Sequence, residues 1–430
     1  MIVFWSNLHK YLQEYKPKSW ICLQEGYNKA TLWGDLIAGV SVGAITLPLA
    51  IAYAIGAGVL PERGIVTAII AGFLISLCGG SRVQIGGPTG AFMVIVQQAV
   101  QNHGYDGLAC ATFMAGILIM AMGFMRWGLI LRFIPFPVII GFSSAIALLI
   151  FSGQIKDLLG LSIPQVPANF IAKWHTYINN IDSCNSCAII VAISTLIIIV
   201  ILHYFHPRSP SSIIAVGLTA FLVHFLDWPL ETIGSKFGSI AGTLPQPSLP
   251  HFTFDKLLIL LPTAITIALL GGLEALLSAS VADGITGYRH HSNIELVAQG
   301  FANMGAVIFG GIPATGAVAR TVANIKMGAK TPLAGIIHAL TVLFVIMFLG
   351  DIITKVPLAS LSAVLVFVAW NMSEMSHFRA ILSSNSGDTT ILVATFILTL
   401  IINLTVAILV GVLLSAVLTL KKNNAHNIVG

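Results

Sequence analysis

The chain has 430 residues, of which 57% are hydrophobic and only 9% charged, with a formal net charge of +5 and a mean hydropathy of +0.93. A soluble domain carries about 25% charged residues, so this composition excludes that class. The basic residues are scattered among connections rather than clustered, which argues against a nucleic-acid surface and for a polytopic helical membrane protein.

Residues 1–34 hold Lys10, Lys16, Lys18 and Lys29 between aromatic residues, and the first apolar run begins only after Asp35. That pattern predicts a cytoplasmic, interfacial amphipathic segment rather than a cleaved signal. Apolar runs of about 17–25 residues cross a bilayer core as helices. They place spans at 35–57, 61–79, 88–102, 107–126, 134–154, 186–204 and 211–227. A second set follows at 257–283, 293–309, 315–326, 331–349, 354–371, 388–403 and 404–420, ahead of a short cytoplasmic tail at 422–430. The expected total is about fourteen, with 155–185 and 228–256 as the two long polar connections. Of the 21 lysines and arginines, fourteen fall on the side that holds the N-terminus, six on the other, and Arg320 inside a span. The excess places both termini in the cytoplasm of a multi-pass cell-membrane protein.

The third and tenth spans are short, and each opens on nearly the same device: GGPTGAF at 86–92 and GGIPATGAV at 310–318. They occupy corresponding positions in two halves of seven, and an odd number per half inverts the second half relative to the first. Gly/Pro-interrupted segments at matching positions of two halves point to a transporter's binding site. The paired glycines allow close backbone approach, the proline suits a helix entry, and Thr89 and Thr315 are expected to cap the N–H groups that follow. A helix that starts mid-membrane turns free N–H donors and a partial positive charge inward. Two of them meeting from opposite sides make an anion site.

Ionisable residues within spans suggest function. Glu274, near the middle of the eighth span, is expected to be a proton carrier or cation ligand, or else a neutral or hydrogen-bonded structural carboxyl. Ser278 follows one turn later on the same face. Arg320 lies five residues after Thr315, where a guanidinium adds fixed positive charge, unless it snorkels or pairs with a carboxylate. Tyr53 either lines the cavity or packs. Asp283 is expected at a helix end or loop, His290 and His291 in a solvent-facing connection, and Cys184 and Cys187 at a helix entry. No nucleophile–base set or metal-ligand spacing is visible, so no enzyme, metal or cofactor is expected.

Four stretches give the chain a resemblance to the sulfate permease family of anion transporters over nearly its whole length. They are GDLIAGVSVGAITLPLAIAYAI at 34–55, GGPTGAFMVIV at 86–96, EALLSASVADGITGYRHHSNIELVAQGFANM at 274–304 and GGIPATGAVARTVANIKMGAKTPLAG at 310–335. The resemblance implies an all-α membrane fold of seven-plus-seven inverted repeats. Its core domain would take spans 1–4 (35–130) and 8–11 (257–350), and its gate domain 131–256 and 351–421. Half-helices at spans 3 and 10 would follow short strands and hold the anion between their N-termini, in an elevator-type transporter. Carried to matching positions, Thr89, Gly90, Gly316, Ala317 and Val318 look like anion contacts, Glu274 and Ser278 like coupling-ion or cavity positions, and Arg320 like the basic residue of span 10. Many members have Pro-Gln where this chain has Pro48-Leu49, and sodium-coupled bicarbonate relatives have a hydroxyl residue at Val318. The reading that results is a proton-coupled transporter of sulfate, with proton ahead of sodium. Bicarbonate or a dicarboxylate is next, and a nucleobase–proton symporter on the same architecture is the other alternative. A homodimer is implied by the resemblance alone. The family usually ends in a cytoplasmic STAS domain; this chain stops first, as a truncated product or a short member.

Overall fold

The computed structural model describes residues 15–128 and 135–401, apart from 165, 168, 207, 208, 241, 251–253 and 385, together with 406, 407, 410–415 and 417. The expected tail at 422–430, much of the interfacial segment and parts of the span at 404–420 lie outside the described residues.

Long apolar runs with few breakers become helices because a bilayer leaves backbone polar groups no partner but one another. In chain order these are α1 (Lys18–Glu25), α2 (Lys29–Gly56), α3 (Pro61–Cys78), α4 (Gly90–Phe124), α5 (Phe136–Leu159), α6 (Phe170–Asn179), α7 (Ser186–Phe205) and α8 (Ser211–Phe225). There follow α9 (Ile233–Phe237), α10 (Phe254–Thr286), α11 (Ser292–Ile308), α12 (Val318–Lys326), α13 (Leu333–Thr354), α14 (Leu358–Met372), α15 (Met375–Leu382) and α16 (Ser386–Ile401). Among the described residues, eight helices are long and apolar enough to cross a membrane, with α8 and α16 as shorter apolar helices. The expected spans 88–102 and 107–126 form one continuous element, α4, bent at Gly104 where φ is 69°. Tyr105 beside that bend donates to the Gly311 carbonyl at 2.8 Å, and its ring lies 3.1 Å under the Arg63 guanidinium carbon. The connection 155–185 is not a plain loop, since it carries α6.

Helices α2, α3, α4, α10, α11, α12 and α13 pack chiefly on one another, and α5, α7, α8, α14 and α16 form a second group. The groups meet where α14 and α8 touch α2 and where α5 touches α4. One buried apolar cluster runs through both, from Ile51 and Phe92 to Ile150 and Leu361.

Two buried carboxylates fold the turns that lead to the short strands and the helices after them. Asp35 accepts from the Lys330 N–H at 2.7 Å and the Thr331 N–H at 3.1 Å, and from the Tyr27 hydroxyl at 3.0 Å. Glu295 accepts from the Gly80 and Ser81 N–H groups at 2.8 and 3.1 Å and from the Gln299 amide at 2.8 Å. Neither was marked by spacing. Asp35 read as a span boundary, and Glu295 was not singled out within the stretch 274–304.

His290 departs from its expected solvent-facing place. It is buried, with its ring nitrogen Nδ1 2.7 Å from Asp283, because the 287–291 turn folds back over the end of α10. His291 lies 3.3 Å from the Lys18 amine, so α1 is strapped across the same turn. Burial, and next the Arg82 charge, push the Lys18 ammonium below the usual lysine range. Cys184 and Cys187 are free thiols at the entry to α7, where the Asn185 side chain accepts the Cys187 N–H at 2.9 Å.

Candidate functional site

The two GG/TGA devices meet directly. Gly86–Gly87 forms β1 and Thr315–Gly316 forms β2, paired antiparallel with Gly86 opposite Gly316 and Gly87 opposite Thr315. The next residues extend the clasp: the Ala317 N–H donates to Ile85 at 2.9 Å, and the Ile85 N–H donates to the Thr321 hydroxyl at 3.1 Å. Glycine is required by contact. A Cβ on Gly316 would enter the space of the Gln84 side chain, whose amide donates to the Ala275 carbonyl at 2.9 Å. One on Gly87, which has φ 145°, would sit 2.6 Å from a guanidinium nitrogen of Arg320.

Helix α4 leaves this clasp at Gly90 and α12 leaves it at Val318. The unpaired N–H groups of both first turns are therefore gathered around one strand pair. The two threonines do not cap these helices as expected. Thr89 holds the N-cap position of α4 without a side-chain cap, and its hydroxyl donates instead to Glu274 at 3.2 Å. Thr315 lies in the strand, so Ala317 becomes the N-cap of α12, and the Thr315 hydroxyl donates to the Gly271 carbonyl at 2.8 Å. In both cases α10 offers the hydroxyl a stronger or fixed acceptor, and the N–H groups stay available.

Arg320 does not snorkel. It is 3% exposed, and its guanidinium donates across the clasp to the Pro88 carbonyl just ahead of α4. Its other terminal nitrogen, Nη1, is buried and has no hydrogen-bond partner among the described residues. Glu274 and Tyr53 lie within electrostatic range of it. Thr89, Glu274 and Ala317 are partly exposed and Val318 is exposed, so the accessible rim of the site mixes a carboxyl, a hydroxyl and helix N–H groups. Tyr53 is buried, with its ring beside Gly90 and near Ile150 and Met372 of the second helix group. Ser278 is fully buried and bonded to the Thr321 hydroxyl at 3.0 Å, one layer behind this rim. Sequence reasoning missed Gln84, Thr321 and His338. The last is a buried histidine 2.9 Å from the Thr46 hydroxyl, and nothing in its spacing distinguished it from a packed aromatic.

A model of the sulfate permease family matches residues 32–395, most of the chain. The chain belongs to the sulfate permease family. Within that family it is 45% identical over 376 residues to "Putative sulfate transporter YvdB" of Bacillus subtilis, covering 87% of this chain and 71% of that protein. It is 31% identical over 407 residues to "Bicarbonate transporter BicA" of Synechocystis sp., covering 92% and 71% respectively. Among solved structures, the transmembrane domain of a cyanobacterial BicA superposes with a TM-score of 0.78 at 29% identity, covering 90% of this chain and 98% of that one. SLC26A9 superposes with a TM-score of 0.87 at 20% identity, over 97% of this chain and 69% of that one, which shows the shared helical fold.

This sulfate permease member is thus a multi-pass membrane protein of an anion-transporter family, with strand-initiated half-helices. The clasp makes a sharp prediction within it. Gly87→Ala adds backbone strain of about 1–3 kcal/mol and displaces Arg320, so anion uptake in proteoliposomes is expected to fall about tenfold or more. Wild-type uptake by that variant would mean the Arg320 position is irrelevant.

Proposed function

We propose that this protein is a secondary active transporter of a small inorganic anion, with sulfate as the first candidate. The observation that carries the reading is Arg320. A buried guanidinium with an unpartnered nitrogen, set where two helix N-termini converge, supplies fixed positive charge and spare donors for an oxyanion. The anion would be bound by the N–H groups at Gly90, Gly316 and Val318, with the Ala317 N–H spent on Ile85, Thr89 at the rim, Tyr53 walling the site and Ser278 supporting it from behind. The relatives named as sulfate transporters support sulfate, and the BicA matches favour bicarbonate as the second reading. Uptake of labelled sulfate by proteoliposomes, competed by unlabelled bicarbonate, dicarboxylate and uracil, tests this. Uptake of none of these anions would exclude it.

Coupling belongs to the same proposal. Glu274 shares a hydrogen bond with Thr89 at the half-helix end, so a proton on Glu274 and an anion beside Thr89 would bind as one unit. Uptake is then expected to rise as the external solution is acidified, and Glu274→Gln, fixed in the uncharged form, is expected to transport without that pH dependence. A Glu274→Gln profile that still follows pH would remove Glu274 as the proton carrier. We further infer fourteen spans in two inverted repeats, with both termini cytoplasmic. The core domain (35–130 and 257–350) would slide as an elevator against the gate domain (131–256 and 351–421), in agreement with the two packing groups.

A further inference from the structure

Lys173 is the one described lysine of α6. It is 3% exposed, and among the described residues its amine has no hydrogen bond or ion pair. A snorkelling lysine keeps its ammonium in bulk water; this one has almost no exposed surface and lines a cavity instead. Burial alone pushes its ammonium below the usual lysine range, and no carboxylate offsets that cost.

The space it faces is a cavity of about 140 Å3, also lined by Gln97, Gln98, Asn169 and Thr399. That is an order of magnitude above the roughly 10–15 Å3 that admits one water. Two glutamine amides and an ammonium are donors, the Thr399 hydroxyl donates to the Thr395 carbonyl at 2.7 Å, and no acidic side chain lines the cavity. The setting is rigid. Asn169 caps α6 by accepting the Ile171 and Ala172 N–H groups at 3.0 and 3.2 Å, and the Trp174 indole donates to Ser152 of α5 at 3.1 Å. Gln97 and Gln98 stand two turns along α4 from Gly90, about 11 Å at 1.5 Å per residue. The cavity therefore lies on the half-helix that starts at the clasp, between it and residues of α5 and α16.

We propose that Lys173, with Gln97 and Gln98, forms a second anion site for a small inorganic oxyanion, on the approach to the clasp from the membrane side opposite the termini. This rests on the transport reading above and adds to it a recruitment step. An anion entering from that side exchanges its water for the ammonium and amides, then passes down α4 to Arg320.

Equilibrium binding of labelled sulfate to the purified full chain separates the two sites. Wild type is expected to bind two sulfates, Lys173→Gln one and Arg320→Gln one. A wild-type stoichiometry and affinity in Lys173→Gln overturns the second site, whereas the same result in Arg320→Gln overturns the clasp reading and leaves this one standing. In proteoliposomes, Lys173→Gln is expected to raise the KM for external sulfate about tenfold, the loss typical of one charge-assisted contact, with the maximal rate nearly unchanged. Lys173→Arg is expected to restore the KM. A lowered maximal rate at unchanged KM, or an equal KM change for transport from the opposite side, would make Lys173 a structural residue and end the proposal.

Discussion

Replacing Arg320 by glutamine is expected to lower sulfate uptake about 100-fold in proteoliposomes. The guanidinium carries two tasks. One nitrogen ties α12 to the Pro88 carbonyl, and on the proposed reading the unpartnered one would donate to the oxyanion. A hydrogen bond to a charged group contributes about 1.5–3 kcal/mol, so losing the one to the anion amounts to roughly 10- to 150-fold. Glutamine keeps a donor to Pro88 while removing the charge, so its fold should persist. Lysine keeps the charge as a point but loses the planar fork, and should recover only part of the rate. Full uptake in Arg320→Gln would place anion binding elsewhere.

Replacing Glu295 by alanine is expected to cost about 3 kcal/mol or more of stability, read as an earlier unfolding transition in detergent. Three buried donors, at Gly80, Ser81 and Gln299, would lose their acceptor, at about 1–3 kcal/mol each. The effect should reach transport as well, because the 80–85 segment runs directly into β1 and α4. Glu295→Gln keeps one oxygen acceptor and should lose about half as much. An unshifted transition in Glu295→Ala would mean that water replaces the carboxylate there.

How much of this was legible beforehand differs by element. The membrane class and most span positions follow from runs of apolar residues, since a helix is the local solution to a backbone without water. The convergence of GGPTGAF and GGIPATGAV was legible from repetition and placement, although their exact roles were not. Thr89 and Thr315 looked like caps because capping is a local tendency, and they bond to α10 because that helix, almost two hundred residues from Thr89, happens to pass alongside. His290 read as exposed for the same reason: its neighbours in sequence are polar, but its neighbour in space is Asp283.

The sequence by itself determined that the chain crosses a membrane, that two of its helices start inside it, and that Glu274 and Arg320 are the charges worth explaining. Each of these depends on composition, spacing or the cost of a buried charge, which are properties of short stretches. Only the tertiary structure decided that the two glycine pairs form one strand pair, that Arg320 reaches across it to Pro88, and that Asp35, Glu295 and Lys173 are buried at turns and cavities far from their sequence neighbours. Those facts depend on contacts between residues more than two hundred positions apart, or on a single side chain turned inward, and no local pattern encodes them.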